Sequence, residues 1–577
     1  MIVLLLLLLV WIEALPAQVA YEAPDIASLR PAGSKDLREP IEWYSADREN
    51  LLRYYRVPFS LVRARALEQF EASWLDAIGR VAPESLDVHG KADLVAWRSR
   101  VAFLRRRARD EQARIEEMRP WAPFSESVAE LYMARQRVES VDPEKTAGEL
   151  VRLDRLLKDL TASVISKDPA APNKPVTKTI AFRAARAVDS LRQTLKEWYG
   201  FYDGYDPLFT WWLKEPYQRL DKDMAAYAEL LREKLAGVKK DDRDTIIGDP
   251  VGRDALMAEL SAELIPYTPE ELIAMAEKEF AWCDGEMLRA SRDLGFGEDW
   301  KKALEHVKTL HAAPGKQPEL VRDQVIEALD FVTRNGMITV PPQASAVWRM
   351  RMMTPERQRI NPFFTGGPEL SVSFPTDGMT HEQKQMSMRG NNIHFSRATV
   401  LHEVIPGHYL QMYMNRRHRP YRDAFWTPFW MEGWALYWEM ILWDRGFPRT
   451  PENRIGALFW RMHRCARIVF SLKFHLGQMT PDEAIAYLVE RVGHERENAA
   501  AEVRRSVASA DGPLYQCAYM LGALQFRGLR REAVESGGMG EREFHDRILR
   551  LGMLPVELVR ASLRNVPHTA NWRFYPE

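Results

Sequence analysis

The stretch Leu401 to Gln411 reads L-H-E-V-I-P-G-H-Y-L-Q. It contains His402, the adjacent Glu403, and a second histidine, His408, six positions after the first. Each residue of a helix turns by about 100°, so on a straight helix this spacing leaves the two imidazoles about 120° apart. A straight helix would therefore not direct both histidines at one metal ion.

Pro406 and Gly407 lie between the two histidines and predict that the helix is not straight. A proline inside a helix cannot donate a hydrogen bond to the carbonyl of His402 and clashes with it, so the helix must kink or bulge. Gly407 can adopt backbone conformations that are closed to other residues. We therefore predict a local bulge that brings His408 back beside His402. The alternative is that the spacing arose by chance and the histidines share no site.

The residue types of this stretch are those of the H-E-x-x-H signature, in which two histidines bind zinc and the glutamate acts as general base. Zinc in a hydrolase usually has three protein ligands and one open position for water. The best candidate for the third ligand is Glu432, 24 residues after His408. It lies in the apolar stretch Trp430 to Glu439, where a buried carboxylate needs a compensating charge such as a metal ion. The alternative is a glutamate at a helix start that faces solvent.

Glu439 follows Glu432 by seven residues and falls on nearly the same face of a helix. It could accept a hydrogen bond from a histidine that binds the metal, which would orient the ring. A surface carboxylate is an equally good interpretation, and the sequence leaves both open.

The composition is that of a globular protein. Of the 577 residues, 46% are hydrophobic and 28% are charged, and the net charge of −1 gives no sign of a nucleic-acid partner. The three cysteines, Cys283, Cys465 and Cys517, form no C-x-x-C pair and cannot build a disulfide framework, so we interpret them as buried thiols.

Residues 1–20 are interpreted as a signal peptide, because an unbroken apolar run precedes Glu13 and small residues follow it. This predicts a secreted or periplasmic protein. The alternative is a mis-assigned start codon, since no Lys or Arg precedes the run. No other apolar run is long enough to cross a membrane, so we expect no membrane span in the mature chain.

Most of the remaining sequence predicts helices, so the expected fold class is mainly α. Gly90 to Arg119 has apolar residues at three- and four-residue spacing. Asp142-Pro143 is typical of a helix start, and Thr268 to Glu271 and Thr480 to Glu483 fit capping boxes with proline at the first helical position. The polar, charged stretch Gly237 to Asp249 predicts a boundary between an N-terminal helical lobe (21–245) and a catalytic lobe (246–577).

One strand is expected between Glu369 and Phe374, where Leu370, Val372 and Phe374 alternate with serines. It precedes the histidine stretch by some thirty residues. We expect it to be an edge strand of a small sheet beside the active-site helix, where it could pair with an extended peptide.

Together these segments resemble the bacterial domain-of-unknown-function 885 family, whose members are predicted zinc metallopeptidases of the gluzincin kind. The specific match is the stretch from His402 to Gln411, and the supporting matches span most of the mature chain. The supporting matches are Glu432–Tyr437, Arg467–His475, Tyr519–Gly522, Leu529–Arg530, Phe544–Asp546, Tyr202–Pro207 and Tyr267–Leu272.

The resemblance implies that His402, His408 and Glu432 bind Zn²⁺ and that Glu403 is the general base. Tyr519 lies where related gluzincins use a tyrosine or histidine to stabilise the oxyanion; the alternative is a core tyrosine on a helix. The architecture is expected to resemble that of angiotensin-converting enzyme and carboxypeptidase Taq, with two helical lobes around a deep central cleft. This is an analogy of fold and does not by itself establish peptide substrates.

The chain departs from the family pattern at Ser471, where we expect an aspartate between Arg467 and His475. The departure puts a role of this segment in the site in doubt. Arg530 could pair with a substrate carboxylate, but a surface arginine is the preferred interpretation. His475 and His545 are interpreted as structural histidines.

Three functions are compatible with the sequence. The first is a zinc-dependent metallopeptidase that hydrolyses short oligopeptides from either end or internally. The second is a zinc hydrolase that acts on a non-peptide amide or ester. The third is a catalytically inactive peptide-binding protein, which the presence of Glu403 together with all three candidate ligands disfavours.

Overall fold

A computed structural model describes residues 21–166, 176–240, 242, 245–358, 363–508 and 512–576. The predicted signal peptide lies outside these residues. Within them the chain folds into 24 α-helices and one two-stranded parallel sheet, which confirms the mainly α fold class. The two lobes, their boundary at residue 245 and the central cleft stay predictions.

The helices follow one another along the chain in this order. The first twelve are α1 (Ile26–Leu29), α2 (Arg38–Tyr54), α3 (Leu61–Gly79), α4 (Val88–Met118), α5 (Ser125–Gln136), α6 (Pro143–Ser166), α7 (Lys178–Tyr202), α8 (Pro207–Leu230), α9 (Arg253–Ala262), α10 (Pro269–Asp293), α11 (Trp300–Thr309) and α12 (Gln317–Arg334). The other twelve are α13 (Pro342–Val347), α14 (Pro355–Gln358), α15 (His381–Gly390), α16 (Ile393–Glu403), α17 (His408–His418), α18 (Pro428–Asp444), α19 (Pro451–His475), α20 (Pro481–Val492), α21 (Arg496–Ala508), α22 (Tyr515–Arg530), α23 (Glu541–Leu551) and α24 (Val556–Arg564). Short 3₁₀ segments are Pro83–Ser85, Arg119–Trp121 and Pro420–Phe425, and π segments are Leu231–Ala236 and Arg531–Glu535.

Local sequence signals set several of these helix starts. Thr268 and Thr480 each accept a hydrogen bond from the backbone of the glutamate three residues later, and that glutamate accepts one from the threonine backbone. Both predicted capping boxes are therefore confirmed. Asp142 likewise accepts a hydrogen bond from Lys145 at the start of α6, and the predicted helix at 90–119 is α4.

The apolar core divides into two main clusters. One is built from residues between 57 and 231, in helices α3 to α8. The larger one combines residues 23–101 with residues 256–574 and contains the histidine stretch. The three cysteines are buried free thiols, as predicted.

A buried ion pair fastens α4 to the segment between α17 and α18. Arg422 Nε lies 2.7 Å from Asp93 Oδ1, and both side chains are fully buried. The hydroxyl of Tyr421 donates to the other oxygen of Asp93 at 2.8 Å, and Arg422 also donates to the carbonyl of Leu551. This connection follows His408 and precedes Glu432 in the chain, so the ion pair helps to fix the two helices that carry them.

Helices α18 and α22 approach each other through two glycines. A Cβ atom added at Gly522 would lie 2.2 Å from the carbonyl oxygen of Phe429 and 2.7 Å from Cα of Gly433. The contact is therefore backbone against backbone. It sets the distance between Glu432 on α18 and Tyr519 on α22.

Gly522→Ala is expected to destabilise the fold, because the added methyl group meets backbone atoms that cannot rotate away. Overpacking of this kind typically costs about 1–3 kcal/mol in the free energy of unfolding, which urea denaturation would measure. Gly285 in α10 has no atom within 4 Å of an added Cβ, so Gly285→Ala serves as control and should stabilise by about 0.5–1 kcal/mol. Equal stability changes for both variants would contradict the close packing.

The sheet differs from the prediction. Strand β2 is Leu370–Val372, which is shorter than expected, and it pairs in parallel with β1, Met350–Met352. Its other edge is occupied by Thr365, which exchanges two backbone hydrogen bonds with Ser371. The strand expected between Glu369 and Phe374 is therefore confirmed at Leu370–Val372, and the bridge to Thr365 covers Ser371 on the edge where a peptide was expected to pair.

Candidate metal centre

The chain breaks its helix between the two histidines. Helix α16 ends at Glu403, four residues follow without helical structure, and α17 begins at His408. The amide of Gly407 donates to the carbonyl of Leu401 at 3.1 Å, and the indole of Trp434 donates to the carbonyl of Pro406 at 3.0 Å. The predicted bulge is thus a complete break between two helices, held against α18. As predicted, the break brings His408 back beside His402, and the centroids of the two rings lie 4.9 Å apart.

Gly407 lies where the chain returns closely on the end of α16. An added Cβ would lie 1.8 Å from the carbonyl oxygen of His402 and 2.6 Å from that of Leu401. The position therefore lacks space for a side chain, and glycine permits the close return of the chain.

Three ligand atoms converge at this break. Oε2 of Glu432 lies 3.1 Å from Nε2 of His408 and 3.5 Å from Nε2 of His402, and all three atoms lie within 4.8 Å of one another. Ligand atoms of a tetrahedral zinc site with bonds of about 2.0–2.1 Å stand about 3.4 Å apart. The three residues are buried, with 2%, 8% and 4% of the residue exposed for His402, His408 and Glu432. Both the residue types and their separations fit one zinc ion.

Glu439 lies behind His402. The Nδ1 atom of His402 lies 2.7 Å from Oε1 of Glu439, whose side chain is only 8% exposed. Of the two interpretations left open by the sequence, the hydrogen-bond acceptor is the one the structure supports. A proton on Nδ1 leaves the lone pair of Nε2 free to face Glu432 and a metal ion.

Glu439→Ala is expected to lower the affinity for zinc about 10- to 100-fold, because His402 loses the partner that fixes its orientation and tautomer. Competition with a chromophoric chelator would measure the affinity. Exposed Glu382 at the start of α15 provides the control, since Glu382→Ala should leave the affinity unchanged. Unchanged affinity in Glu439→Ala would show that the hydrogen bond does not support the site.

The electrostatics of the cluster favour a cation among the three candidate ligands. Burial would lower the pKa of His402, but the hydrogen bonds to Glu432 and Glu439 raise it to about 9. Burial would raise the pKa of Glu432, but the two histidines hold it well below its usual range. The carboxylates thus stabilise positive charge at this point, whether carried by a proton or by a metal ion.

Glu403 is partly exposed and lies against the loop that precedes β2. A Cβ atom added at Gly366 would be 2.2 Å from Oε2 of Glu403, so the loop backbone packs directly on the carboxyl group. Burial and the carboxylate of Glu432 raise the pKa of Glu403, whereas the two histidines lower it. This places a carboxyl group with raised pKa next to the three candidate ligands and brings the loop before the small sheet close to α16.

Tyr519 is brought to the same place by α22. Its ring stacks on that of His402, with centroids 5.9 Å apart and planes inclined by 13°. The Nη2 atom of Arg505 donates to the Tyr519 hydroxyl at 3.4 Å. The side chain is buried, so the predicted role at the site and the alternative of a core position are both compatible with its burial.

Sequence reasoning missed Tyr515, which lies one helical turn before Tyr519. Its hydroxyl donates to Oε1 of Glu432 at 2.6 Å, on the carboxylate oxygen opposite the one that faces the histidines. The four-residue spacing to Tyr519 places both tyrosines on one face of α22 and could have indicated the role.

The remaining candidates lie away from the three ligands. Arg530, interpreted as a surface arginine, has a side chain that is only 16% exposed and is paired with Glu535 and Glu541. His545 accepts a hydrogen bond from Tyr437 at 2.7 Å and donates to a backbone carbonyl, so it is a structural histidine as expected. His475 and Ser471 are buried elsewhere on α19.

Comparison with known proteins agrees with this fold. A family model described as "Bacterial protein of unknown function (DUF885)" matches residues 58–563, which confirms the resemblance expected from the motifs. A structure described as a putative lipoprotein of unknown function from Shewanella oneidensis has a TM-score of 0.67 at 17% identity, covering 90% of this chain and 98% of the other. One described as a putative lipoprotein from Colwellia psychrerythraea has a TM-score of 0.54 at 17% identity, covering 87% and 91%.

No curated protein matches the chain significantly. Among the described residues, no helix combines the length and the apolar character that crossing a membrane requires.

Proposed function

The chain belongs to the bacterial DUF885 family, and we propose that it is a zinc-dependent metallopeptidase that hydrolyses peptide bonds of short oligopeptides. The observation that carries the proposal is the convergence of His402, His408 and Glu432 beside the carboxyl group of Glu403. Two histidines, one carboxylate and an adjacent free carboxyl group are the set that zinc hydrolases use.

Each residue has a defined part in the proposed reaction. Zinc bound by the three ligands would polarise the scissile carbonyl and acidify the attacking water. Glu403 accepts the proton of that water and passes it to the leaving amine. The hydroxyl of Tyr519 donates a hydrogen bond to the oxyanion that forms on the carbonyl oxygen. Glu439 keeps His402 in the tautomer with the proton on Nδ1.

A cavity of about 780 Å³, which has room for a short peptide, lies between α4, α7 and α9. None of the three candidate ligands lines it. It shares Phe103, Arg107 and Glu259 with a smaller cavity whose wall includes Tyr515, the residue bonded to Glu432. A volume in the range of about 300–1,000 Å³ is typical of ligand sites.

We also propose that the protein acts outside the cytoplasm. The apolar run that precedes Glu13 supports a signal peptide. The two structural neighbours are named as lipoproteins, which are exported proteins, and this agrees with the same location.

The test is digestion of a peptide library by zinc-loaded protein, with cut sites mapped by mass spectrometry. We expect cleavage of short peptides, loss of cleavage after chelation, and recovery when zinc is restored. Absence of cleavage for every peptide would reject the proposal. Hydrolysis of small amides or esters without peptide cleavage would instead support the second function, and binding of peptides without any hydrolysis the third.

A further inference from the structure

We propose that Arg464 and Arg505 bind a carboxylate of the substrate beside the candidate metal ligands, and that this carboxylate is the free C-terminus of the peptide. The inference rests on the proposed function and specifies its substrate class and its mode of cleavage. It makes the protein a carboxypeptidase that removes C-terminal residues.

The first observation is a buried arginine without a carboxylate partner. Arg464 on α19 is only 7% exposed, and among the described residues it forms no ion pair and no hydrogen bond. Its guanidinium lies over the rings of Trp460 and Tyr519, with Cζ at 5.0 and 4.9 Å from their centroids, and its Nε is buried without a partner. An unpaired cation in such a position is costly unless an anion arrives to compensate it.

The neighbouring buried arginines of the same helix differ from Arg464 because each has a carboxylate partner. Arg461 pairs with Glu279 at 2.6 Å, and Arg467 pairs with Glu502 at 2.6 Å. Arg464 lies between these two in sequence and is as deeply buried. Arg464 therefore lacks a carboxylate partner because of its own position, whereas the other two buried arginines of α19 have one.

The second arginine reaches the same tyrosine from another helix. Arg505 on α21 donates to the hydroxyl of Tyr519 at 3.4 Å and forms no ion pair with a described residue. Arg464 lies over the face of that ring, and Arg505 lies at its hydroxyl. Arg467 also lies over the ring, with Cζ 4.5 Å from its centroid, but it is paired with Glu502. The other two guanidinium groups around this tyrosine provide planar donors that match the two oxygens of a carboxylate.

The charge balance also favours an anion. The candidate centre and its surroundings contain four carboxylates and three guanidinium groups; these are Glu403, Glu432, Glu439, Glu502, Arg464, Arg467 and Arg505. A divalent cation added to them leaves one net positive charge, with the histidines neutral. A substrate carboxylate would neutralise it.

The position of these groups selects the C-terminal carboxylate. Arg464 and Arg505 both contact Tyr519, whose ring stacks on that of the candidate ligand His402. Tyr519 would contact the oxyanion of the scissile carbonyl, and consecutive Cα atoms of a peptide are about 3.8 Å apart. A carboxylate held at Tyr519 by the two arginines is therefore about one residue from the bond that is cut.

The test compares matched peptides that differ only in the C-terminus, free acid or amide. A second pair of peptides has an amidated C-terminus in both members and differs only in having Glu or Gln near that end. This pair shows whether the site recognises a carboxylate on a side chain. We expect the free acid to be cleaved with a kcat/KM at least about 100-fold above the amide, releasing the last residue. Arg464→Gln and Arg505→Gln should each raise KM for the free acid about 10- to 100-fold and reduce the preference for the free acid over the amide.

The controls separate recognition from folding and from the proposed function itself. Arg504→Gln, an exposed neighbour on α21, should behave as the unmodified protein, and Arg464→Lys should restore part of the preference. Calorimetry with Glu403→Gln protein would compare an N-acetylated amino acid with its amide, so that binding is measured without catalysis. We expect the acid to bind and the amide not to bind.

Equal cleavage or equal binding of acids and amides, or internal cuts, would overturn the inference while leaving the peptidase function intact. If the enzyme prefers the peptide with Glu over the one with Gln but does not distinguish the free acid from the amide, the bound carboxylate is a side chain. That result would overturn the claim that it is the C-terminus. Absence of all cleavage together with selective binding of the acid would reject the peptidase function and retain the carboxylate site.

Discussion

Glu403→Gln is expected to reduce the rate of peptide hydrolysis by about 10²- to 10⁴-fold, which is the usual contribution of a general base. The amide has the size of the carboxyl group but cannot accept the proton of the attacking water. Glu403 is not one of the three converging ligands, so zinc content should not change. Initial rates with a cleaved peptide and metal analysis of the purified variant would measure both quantities.

The matched control is Glu382→Gln, which makes the same chemical change at an exposed position of α15. It should retain full activity and full zinc content. Activity of Glu403→Gln within a few-fold of the unmodified protein would rule out Glu403 as the base. Loss of zinc from the variant would instead show that this carboxyl group contributes to the metal site.

Gly407→Ala is expected to disrupt the candidate centre more than any other single methyl group. The added Cβ would lie 1.8 Å from the carbonyl oxygen of His402, so either the break or the end of α16 must move. Both choices shift a candidate ligand. We expect zinc affinity to fall by more than the roughly 10- to 100-fold typical of a lost supporting contact, together with a stability loss of about 1–3 kcal/mol.

Gly378, a loop glycine with no atom within 4 Å of an added Cβ, provides the control. Gly378→Ala should bind zinc as the unmodified protein does and should unfold at a similar temperature. Zinc affinity and activity preserved in Gly407→Ala would refute the account of why the stretch requires glycine at this position.

Local signals allowed the helix starts to be predicted from the sequence. The capping boxes at Thr268 and Thr480 depend on residues three positions apart, and proline at the next position reinforces each of them. Periodicity identified α4 for the same reason, because apolar spacing along one helix is a property of neighbouring residues.

The conformation of the break and the pairing of the strand could be predicted only in part. Pro406 indicated that a helix could not continue, but the break is fixed by a hydrogen bond from Trp434, 28 residues away. Alternation at residues 369–374 indicated a strand, but its partners at Thr365 and Met350 follow from tertiary packing. Strand pairing of this kind leaves no mark in the local sequence.

The same limit applies to the candidate site. The residues of the histidine stretch and Glu432 could be found because their chemistry and spacing are distinctive. Tyr515, Arg464 and Arg505 come from separate helices and belong to no short motif. Their relevance depends on distances to Glu432 and Tyr519 that only the folded chain defines.

The central claim is that one zinc ion is held between the two histidines and Glu432. Anomalous diffraction at the zinc absorption edge, from crystals of the zinc-saturated protein, tests it directly. We predict one strong peak at about 2.0–2.2 Å from Nε2 of His402, Nε2 of His408 and a carboxylate oxygen of Glu432. A zinc peak bound elsewhere, with no peak between these three side chains, would contradict the account.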